Sequence, residues 1–170
     1  RIAFPHRLDL TTGRIMCFIA PENVNLSQNW FSISGLSEIY EKLLIAWFNS
    51  SLFFISYLIS RRQQRGPYGQ TAIKQMRNYL IPILDKIDNE NIEKIYTVFK
   101  TFNKSTLMRL PIEKQIKSTI KIENERRLLD RAIMDVLGIF QSDIENQNEW
   151  LDRMYILFGN EIENMKLQRK

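Results

Sequence analysis

Hydrophobic and polar residues follow a short, irregular pattern over residues 1–35. Apolar stretches at 2–4, 15–19 and 30–33 are separated by prolines, asparagines and glycines. Short apolar or alternating stretches bounded by such residues are typical of β-strands. The pattern therefore predicts several short strands joined by turns in this part of the chain.

Residues 36–60 instead carry apolar side chains at helical spacing, and Ser37 stands where an N-cap is expected. From Ser51 onward the predicted helix is apolar on almost every side, so we expect it to be the central buried helix. The polar triplet at 49–51 leaves open whether the helix breaks there.

Residues 43–59 hold thirteen apolar and four polar residues, whereas a membrane-spanning helix needs about 20 predominantly apolar residues. A buried core helix is therefore favoured over a membrane span.

Helical periodicity returns in the second half of the chain. The spacing predicts a short helix at 71–80, ended by Pro82, and an extended piece at 80–85. Three longer helices are predicted after it, at 89–103, 112–137 and 146–167. These elements indicate an α+β fold, in which a small mixed sheet packs on the central apolar helix and a helix-rich C-terminal region follows. We place the boundary between the two parts after residue 87, giving an α+β domain at 1–87 and a helical region at 88–170.

The positive charge of the chain is confined to its first half. The net charge is +5; residues 1–82 hold nine Lys/Arg and four Asp/Glu, and residues 83–170 hold fifteen of each. No acidic residue occurs between Glu41 and Asp85. A basic region of this kind is typical of nucleic-acid-binding proteins, although a solvated surface loop would have the same composition.

Familiar catalytic and cofactor motifs are absent from the sequence. It has no G-x-G-x-x-G, no P-loop, no H-E-x-x-H and no G-x-S-x-G. His6 is the single histidine and Cys17 the single cysteine, which excludes most His-based catalytic sites and cysteine-rich zinc sites. We therefore expect this chain to have no catalytic activity of its own and to bind no metal and no cofactor.

The candidate site is the stretch at 61–77, which we call the basic segment. Arginine can bond bidentately to guanine and glutamine to adenine, a tyrosine can stack on a base or sugar, and basic residues three apart on a helix can hold phosphates. The residues predicted to contact DNA in these ways are Arg61, Arg62, Gln64, Arg65, Tyr68, Lys74 and Arg77.

Four short phrases resemble one known family. Residues 44–52 (LIAWFNSSL) are similar to the A-W-L-N-S-S/T-L helix in the target-recognition domains of restriction-modification N6-adenine DNA methyltransferases. Residues 79–85 (YLIPILD) resemble the Leu-x-Ile-Pro phrase that follows the basic stretch in that family. The opening phrase with Pro5 and Arg7 resembles the first strand of such domains, and 127–133 (RLLDRAI) resembles the helices that close them.

The resemblance implies a division of labour. In the family, an N-terminal domain binds S-adenosylmethionine and carries an Asn-Pro-Pro-Tyr motif. The C-terminal domain binds DNA and recognises its sequence, while the target adenine is rotated out of the duplex. This sequence lacks the Asn-Pro-Pro-Tyr motif and matches the recognition part alone. The resemblance thus implies double-stranded DNA and the catalytic domain of the same parent chain as partners. Asn49 is expected to have a structural role, bonding backbone where the helix approaches the sheet.

Two further expectations follow from the ends and the surface of the chain. The sequence begins at Arg1 and has no secretory signal pattern, so we expect an excised part of a larger cytoplasmic protein, without membrane association. The parent is expected to be an S-adenosylmethionine-dependent methyltransferase, with or without nuclease activity. The alternative function is a helical protein-interaction or oligomerisation module, built on 88–170, that binds no nucleic acid.

Overall fold

The computed structural model describes residues 1–60, 68–70 and 78–168. The strands within these ranges are β1 (Ile2–Pro5), β2 (Arg7–Asp9), β3 (Phe18–Ile19), β4 (Trp30–Ile33) and β5 (Tyr68–Gln70). The α-helices within them are α1 (Glu38–Asn49), α2 (Ser51–Ser60), α3 (Asn89–Lys104), α4 (Ile112–Lys117), α5 (Glu125–Val136) and α6 (Ile144–Leu167). Separate strand-rich and helix-rich parts of this kind confirm the predicted α+β class.

The strands form two small sheets. The first has the order β3-β1-β4, with Ile2 opposite both Ile19 and Ile33. The second is a two-stranded ribbon of β2 and β5. All pairings among the described strands are antiparallel, whereas the sequence had indicated a mixed sheet. Parallel strands are usually joined by a crossover helix, and no helix lies between the strands of residues 1–35.

The predicted central helix is two helices that meet at a sharp bend. Ser50 has extended backbone angles (φ −76°, ψ 158°), and the axes of α1 and α2 differ by 72°. The Ser50 hydroxyl donates to the carbonyl of Trp47 at 2.6 Å and accepts from the amide of Phe53 at 3.2 Å. One side chain therefore caps the end of α1 and the start of α2, which explains why the chain breaks at the polar triplet.

No single helix among the described residues is long and apolar enough to cross a membrane. The bent pair of α1 and α2 meets the length and composition criteria when the two are taken together. All residues from Leu43 to Phe54 are buried inside the protein, as predicted for a central core helix.

The C-terminal helices differ from the prediction at one place. The helices expected at 89–103 and 146–167 are α3 and α6, but the single helix expected at 112–137 is wrong, because α4 ends at Lys117 and α5 begins at Glu125. Between them Lys121 has a positive φ of 55°, which a continuing α-helix does not allow. The side chain of Asn124 accepts from the amide of Arg127 at 3.2 Å and so starts a new helix.

The region between the ribbon and α3 also departs from the prediction. Residues 71–77 of the predicted short helix lie outside the described residues, and 78–80 are not helical. The extended piece expected at 80–85 ends in a 3-10 turn, Leu84–Lys86, and forms no strand. Proline and aspartate, here Pro82 and Asp85, are common in turns, and this stretch pairs with no neighbouring strand among the described residues.

One hydrophobic core joins the strands to the helices. The Phe4 ring of β1 lies 5.5 Å from the ring of Phe48 and 6.0 Å from that of Phe53, in edge-to-face contact. Helix α3 packs against both α1 and α5, and the buried residues of 1–87 and of 88–170 belong to a single cluster. Leu8 attaches β2 to this core, while Arg7 of the same strand is exposed.

Candidate nucleic-acid interface

Of the seven residues predicted to contact DNA, the structure describes Tyr68, the first residue of β5. Arg61, Arg62, Gln64, Arg65, Lys74 and Arg77 lie outside the described residues. Tyr68 pairs with Asp9 of β2. The structure therefore connects the middle of the basic segment to the N-terminal part of the chain.

The ribbon of β2 and β5 is the scaffold of this candidate interface. Arg7 lies opposite Gln70, and Leu8 lies opposite Gly69. Leu8 is buried whereas Arg7 is exposed, as expected where successive side chains of a strand point to opposite faces. Arg7 was not among the residues predicted for the site. Its pairing with Gln70 joins positions more than sixty residues apart, and the sequence pattern gives no sign of such a pairing.

A tight turn follows the C-terminal end of β2. The Asp9 carboxylate accepts from the amide and hydroxyl of Thr11 at 2.9 and 2.7 Å, and the Asp9 carbonyl accepts from the amides of Thr12 and Gly13. A Cβ at Gly13 would lie 2.7 Å from that carbonyl oxygen, so the close approach requires glycine. The Asp9 carboxylate is thus engaged in shaping the turn.

The chain is anchored again immediately after the basic segment. The amide of Leu80 donates to the hydroxyl of Ser56 at 2.8 Å, and the indole Nε1 of Trp47 donates to the carbonyl of Leu80 at 2.9 Å. Tyr79 is buried, and its ring lies 5.3 Å from that of Phe53. The chain is therefore attached to the same core at three places: in helix α2 before the basic segment, at the ribbon within it, and at Leu80 after it.

Asn49 has the structural role expected for it. Its Oδ1 accepts from the amide of Met16 at 2.9 Å, and its Nδ2 donates to the carbonyls of Cys17 and Ile45 at 3.0 and 2.9 Å. These bonds hold the chain entering β3 against the end of α1. Burial raises the pKa of the Cys17 thiol well above its ordinary value, so the thiol stays protonated and unreactive at neutral pH.

A buried polar network lies under the bend between α1 and α2. The Asp130 carboxylate accepts from the amide of Ser51 and from the hydroxyl of Tyr155, both at 2.8 Å. The Arg126 guanidinium donates to the Ser51 hydroxyl at 3.0 Å and to the Gln115 side chain at 2.5 Å. Burial raises the pKa of Asp130 and lowers that of Arg126.

This network was not predicted from the sequence, although the spacing of two of its residues was one available signal. Arg126 and Asp130 are four residues apart on α5, which places them on one helical face. The same spacing is common on solvated helices. Their partner Ser51 is far away in the chain, so burial of the pair followed only from the tertiary structure.

The described residues hold no group of three or more His, Cys, Asp or Glu side chains that could bind a metal ion. His6, the single histidine, donates its backbone amide to the carbonyl of Asn29, and its ring lies 5.0 Å from that of Phe31. Its environment is therefore that of a surface aromatic contact on β4.

No family model matches the sequence, and no curated protein and no solved structure matches it either.

Proposed function

We propose that this chain recognises double-stranded DNA, as the specificity domain of an adenine-N6 methyltransferase or restriction-modification enzyme. The observation that carries the proposal is the pairing of β5 with β2, which attaches the acid-free basic segment to the core at its middle. Sequence recognition by proteins depends on side chains carried by a segment that a rigid scaffold positions.

The chemistry of the segment and of its scaffold supports the same ligand. The segment supplies arginines and glutamines, which suit guanine and adenine edges. The exposed Arg7 on β2 adds a cation beside Gln70 of β5. The nearest carboxylate on β2, that of Asp9, is hydrogen-bonded to Thr11. The ribbon thus joins an exposed cation, Arg7, to the part of the basic segment that the structure describes.

The proposal includes the rest of the enzyme. The catalytic domain, which binds S-adenosylmethionine, belongs to the same parent chain, and the protein acts in the cytoplasm where its DNA substrate is found.

Titration of a labelled duplex at several salt concentrations tests the proposal. If four to six phosphates are neutralised, log K falls with log salt at a slope of about −4 to −5, and non-specific binding has a Kd on the order of 10⁻⁴ to 10⁻⁶ M. An affinity that does not change with salt would contradict the proposal.

An apolar groove favours protein interaction as the second candidate function. The groove has a volume of about 550 Å³ and runs between α2 and α6, with Leu58, Trp150 and Leu157 among its lining residues. Ile59 and Leu157 are 78% and 69% exposed there. Light scattering that gives twice the monomer mass, together with no DNA binding, would favour this second function over the first.

A further inference from the structure

We propose that the DNA-binding surface continues beyond the ribbon onto a cluster of three exposed cations, Arg14, Arg109 and Lys114, which bind phosphates flanking the recognised bases. We call these three residues the flanking cluster. The inference rests on the proposed function, because duplex DNA is its ligand.

Gln115 brings the three elements of the flanking cluster together. Its side chain is fully buried, and its Nε2 donates to the carbonyl of Arg14 at 2.8 Å and to that of Leu110 at 2.7 Å. Two carbonyls that share one donor lie side by side. Arg109 directly precedes Leu110, and Lys114 directly precedes Gln115. The backbones of all three cations are therefore fixed around one buried amide.

Two backbone hydrogen bonds reinforce this arrangement. The amide of Ile112 donates to the carbonyl of Gly13 at 2.8 Å, and the amide of Glu113 donates to the carbonyl of Leu10 at 3.1 Å. The turn after β2 is thus joined directly to the start of α4. A surface fixed in this way loses little conformational freedom when it binds a rigid duplex.

The charge of the flanking cluster is not neutralised within the described part of the chain. Arg14, Arg109 and Lys114 are exposed, and none forms an ion pair with a described residue. The nearest carboxylate in sequence, that of Glu113, is buried and accepts from Lys117 and Lys166 at 2.8 and 2.6 Å. Three exposed cations that have no carboxylate partner among residues 1–60, 68–70 and 78–168 favour a polyanion such as the phosphate backbone.

The flanking cluster is continuous with the ribbon. The amide of Gly13 donates to the carbonyl of Asp9 at 2.6 Å, and Asp9 pairs with Tyr68. Arg14 therefore lies just beyond the end of β2 at which Asp9 pairs with Tyr68, the predicted DNA-contacting tyrosine of β5. Phosphate contacts beside a recognition segment set the position of a protein on DNA without selecting the sequence.

A triple variant with a charge-matched control tests the inference. In the test variant Arg14, Arg109 and Lys114 are replaced by alanine; in the control Lys94, Lys100 and Arg153, exposed on α3 and α6, are replaced instead. Both lose three positive charges. With three phosphate contacts removed, the salt slope of the test variant should become shallower by about 2.7, equally on every duplex sequence, while the control keeps the wild-type slope.

The outcomes separate this inference from the proposed function. A wild-type chain whose affinity for DNA ignores salt would overturn both. If the wild type binds with the expected slope and the test variant keeps that slope, the flanking cluster is overturned and the proposed function stands. If the salt slope became equally shallow in the test and control variants, the inference would also be overturned, because the effect would then follow net charge alone. Thermal melts of both variants, expected to match the wild type since all six positions are exposed, exclude unfolding as the cause.

Discussion

Asn49 is a polar side chain in the most apolar stretch of the chain, and its amide explains why it is tolerated there. Both its oxygen and its nitrogen bond backbone groups, those of Met16, Cys17 and Ile45. A buried amide that is fully hydrogen-bonded stabilises one arrangement of the surrounding chain, whereas an unsatisfied one is costly. Asn49 therefore fixes how the strand-rich part of the molecule meets α1.

Replacing Asn49 by alanine should lower the free energy of unfolding by about 2–4 kcal/mol, because the amide of Met16 and the carbonyl of Cys17 are left buried without partners. Asn103, exposed on α3, is the matched control, and its replacement by alanine should change stability by no more than about 0.5 kcal/mol. Urea denaturation of the two variants measures both values. Equal effects at the two positions would show that the hydrogen bonds of Asn49 do not stabilise the fold.

Glu113 gives the stability of the protein a defined acid dependence. Burial acts to raise the pKa of Glu113, but hydrogen bonds from Lys117 and Lys166 outweigh it and hold the pKa below its ordinary value. In the unfolded chain a glutamate has a pKa of about 4.3. On acidification, Glu113 therefore takes up its proton at a higher pH in the unfolded chain than in the folded protein. The stabilisation is present above that pH and is lost as the pH falls through the lower folded value.

The variant Glu113→Gln tests this acid dependence. It should be less stable than the wild type at pH 7, and the difference between the two should shrink as the pH falls below about 4. Urea denaturation across this pH range measures the difference directly. A gap that stays constant from pH 7 to pH 3 would contradict the account.

At the scale of elements, the bend between α1 and α2 organises the helical part of the molecule. The bend frees the amide of Ser51, and the Asp130 carboxylate of α5 accepts from it. Tyr155 of α6 donates to the same carboxylate, and Arg126 bonds the Ser51 hydroxyl. Three helices therefore meet at one buried polar cluster, and their relative positions depend on it.

Replacing Asp130 by alanine should lower the free energy of unfolding by about 3–5 kcal/mol. The change removes the negative charge near the buried Arg126 guanidinium and leaves the Ser51 amide and the Tyr155 hydroxyl buried without their acceptor. Tyr155→Phe removes a single hydrogen bond and should cost about 1–2 kcal/mol. Glu145, exposed in the first turn of α6, is a control whose replacement by alanine should have a small effect. If Asp130→Ala cost no more than the Glu145 variant, the network would not hold the helices together.

Periodicity predicted the elements whose signal is local. The helices α3 and α6 and the strand β4 lie close to their predicted positions, because apolar spacing and caps are properties of neighbouring residues. The break at Ser50 depends on a serine that caps two helices at once, and the break after Lys117 depends on a positive φ at Lys121. The polar triplet at 49–51 interrupts the apolar pattern but does not decide whether the helix breaks there, and the break after Lys117 leaves no mark in that pattern.

Long-range pairing was beyond the sequence pattern for the candidate site as well. The basic segment stands out by composition, since it lies in a stretch free of carboxylates. The pairing of β5 with β2, and the hydrogen bond from Gln115 to the carbonyl of Arg14, join positions that are distant along the chain. Charge counts therefore indicated the segment but not the surface around it.

At the scale of the whole molecule, the two halves of the chain differ in charge but share one core. The excess of positive charge lies in residues 1–82, whereas α3, α5 and α6 supply buried apolar and polar partners for α1 and α2. The helical region thus supports the part that carries the ribbon and the basic segment. In the proposed function, residues of the positively charged half bind the phosphate backbone. The core, to which both halves contribute, stabilises the fold.

The decisive measurement compares DNA binding by the wild type with DNA binding by the triple variant Arg61→Ala, Arg62→Ala and Arg65→Ala. The full chain is titrated with one labelled duplex at fixed salt, beside the control in which Lys94, Lys100 and Arg153 are replaced by alanine. The account predicts that the basic-segment variant binds at least tenfold more weakly than the control, with an unchanged free energy of unfolding. A basic-segment variant that binds as tightly as the control would contradict it.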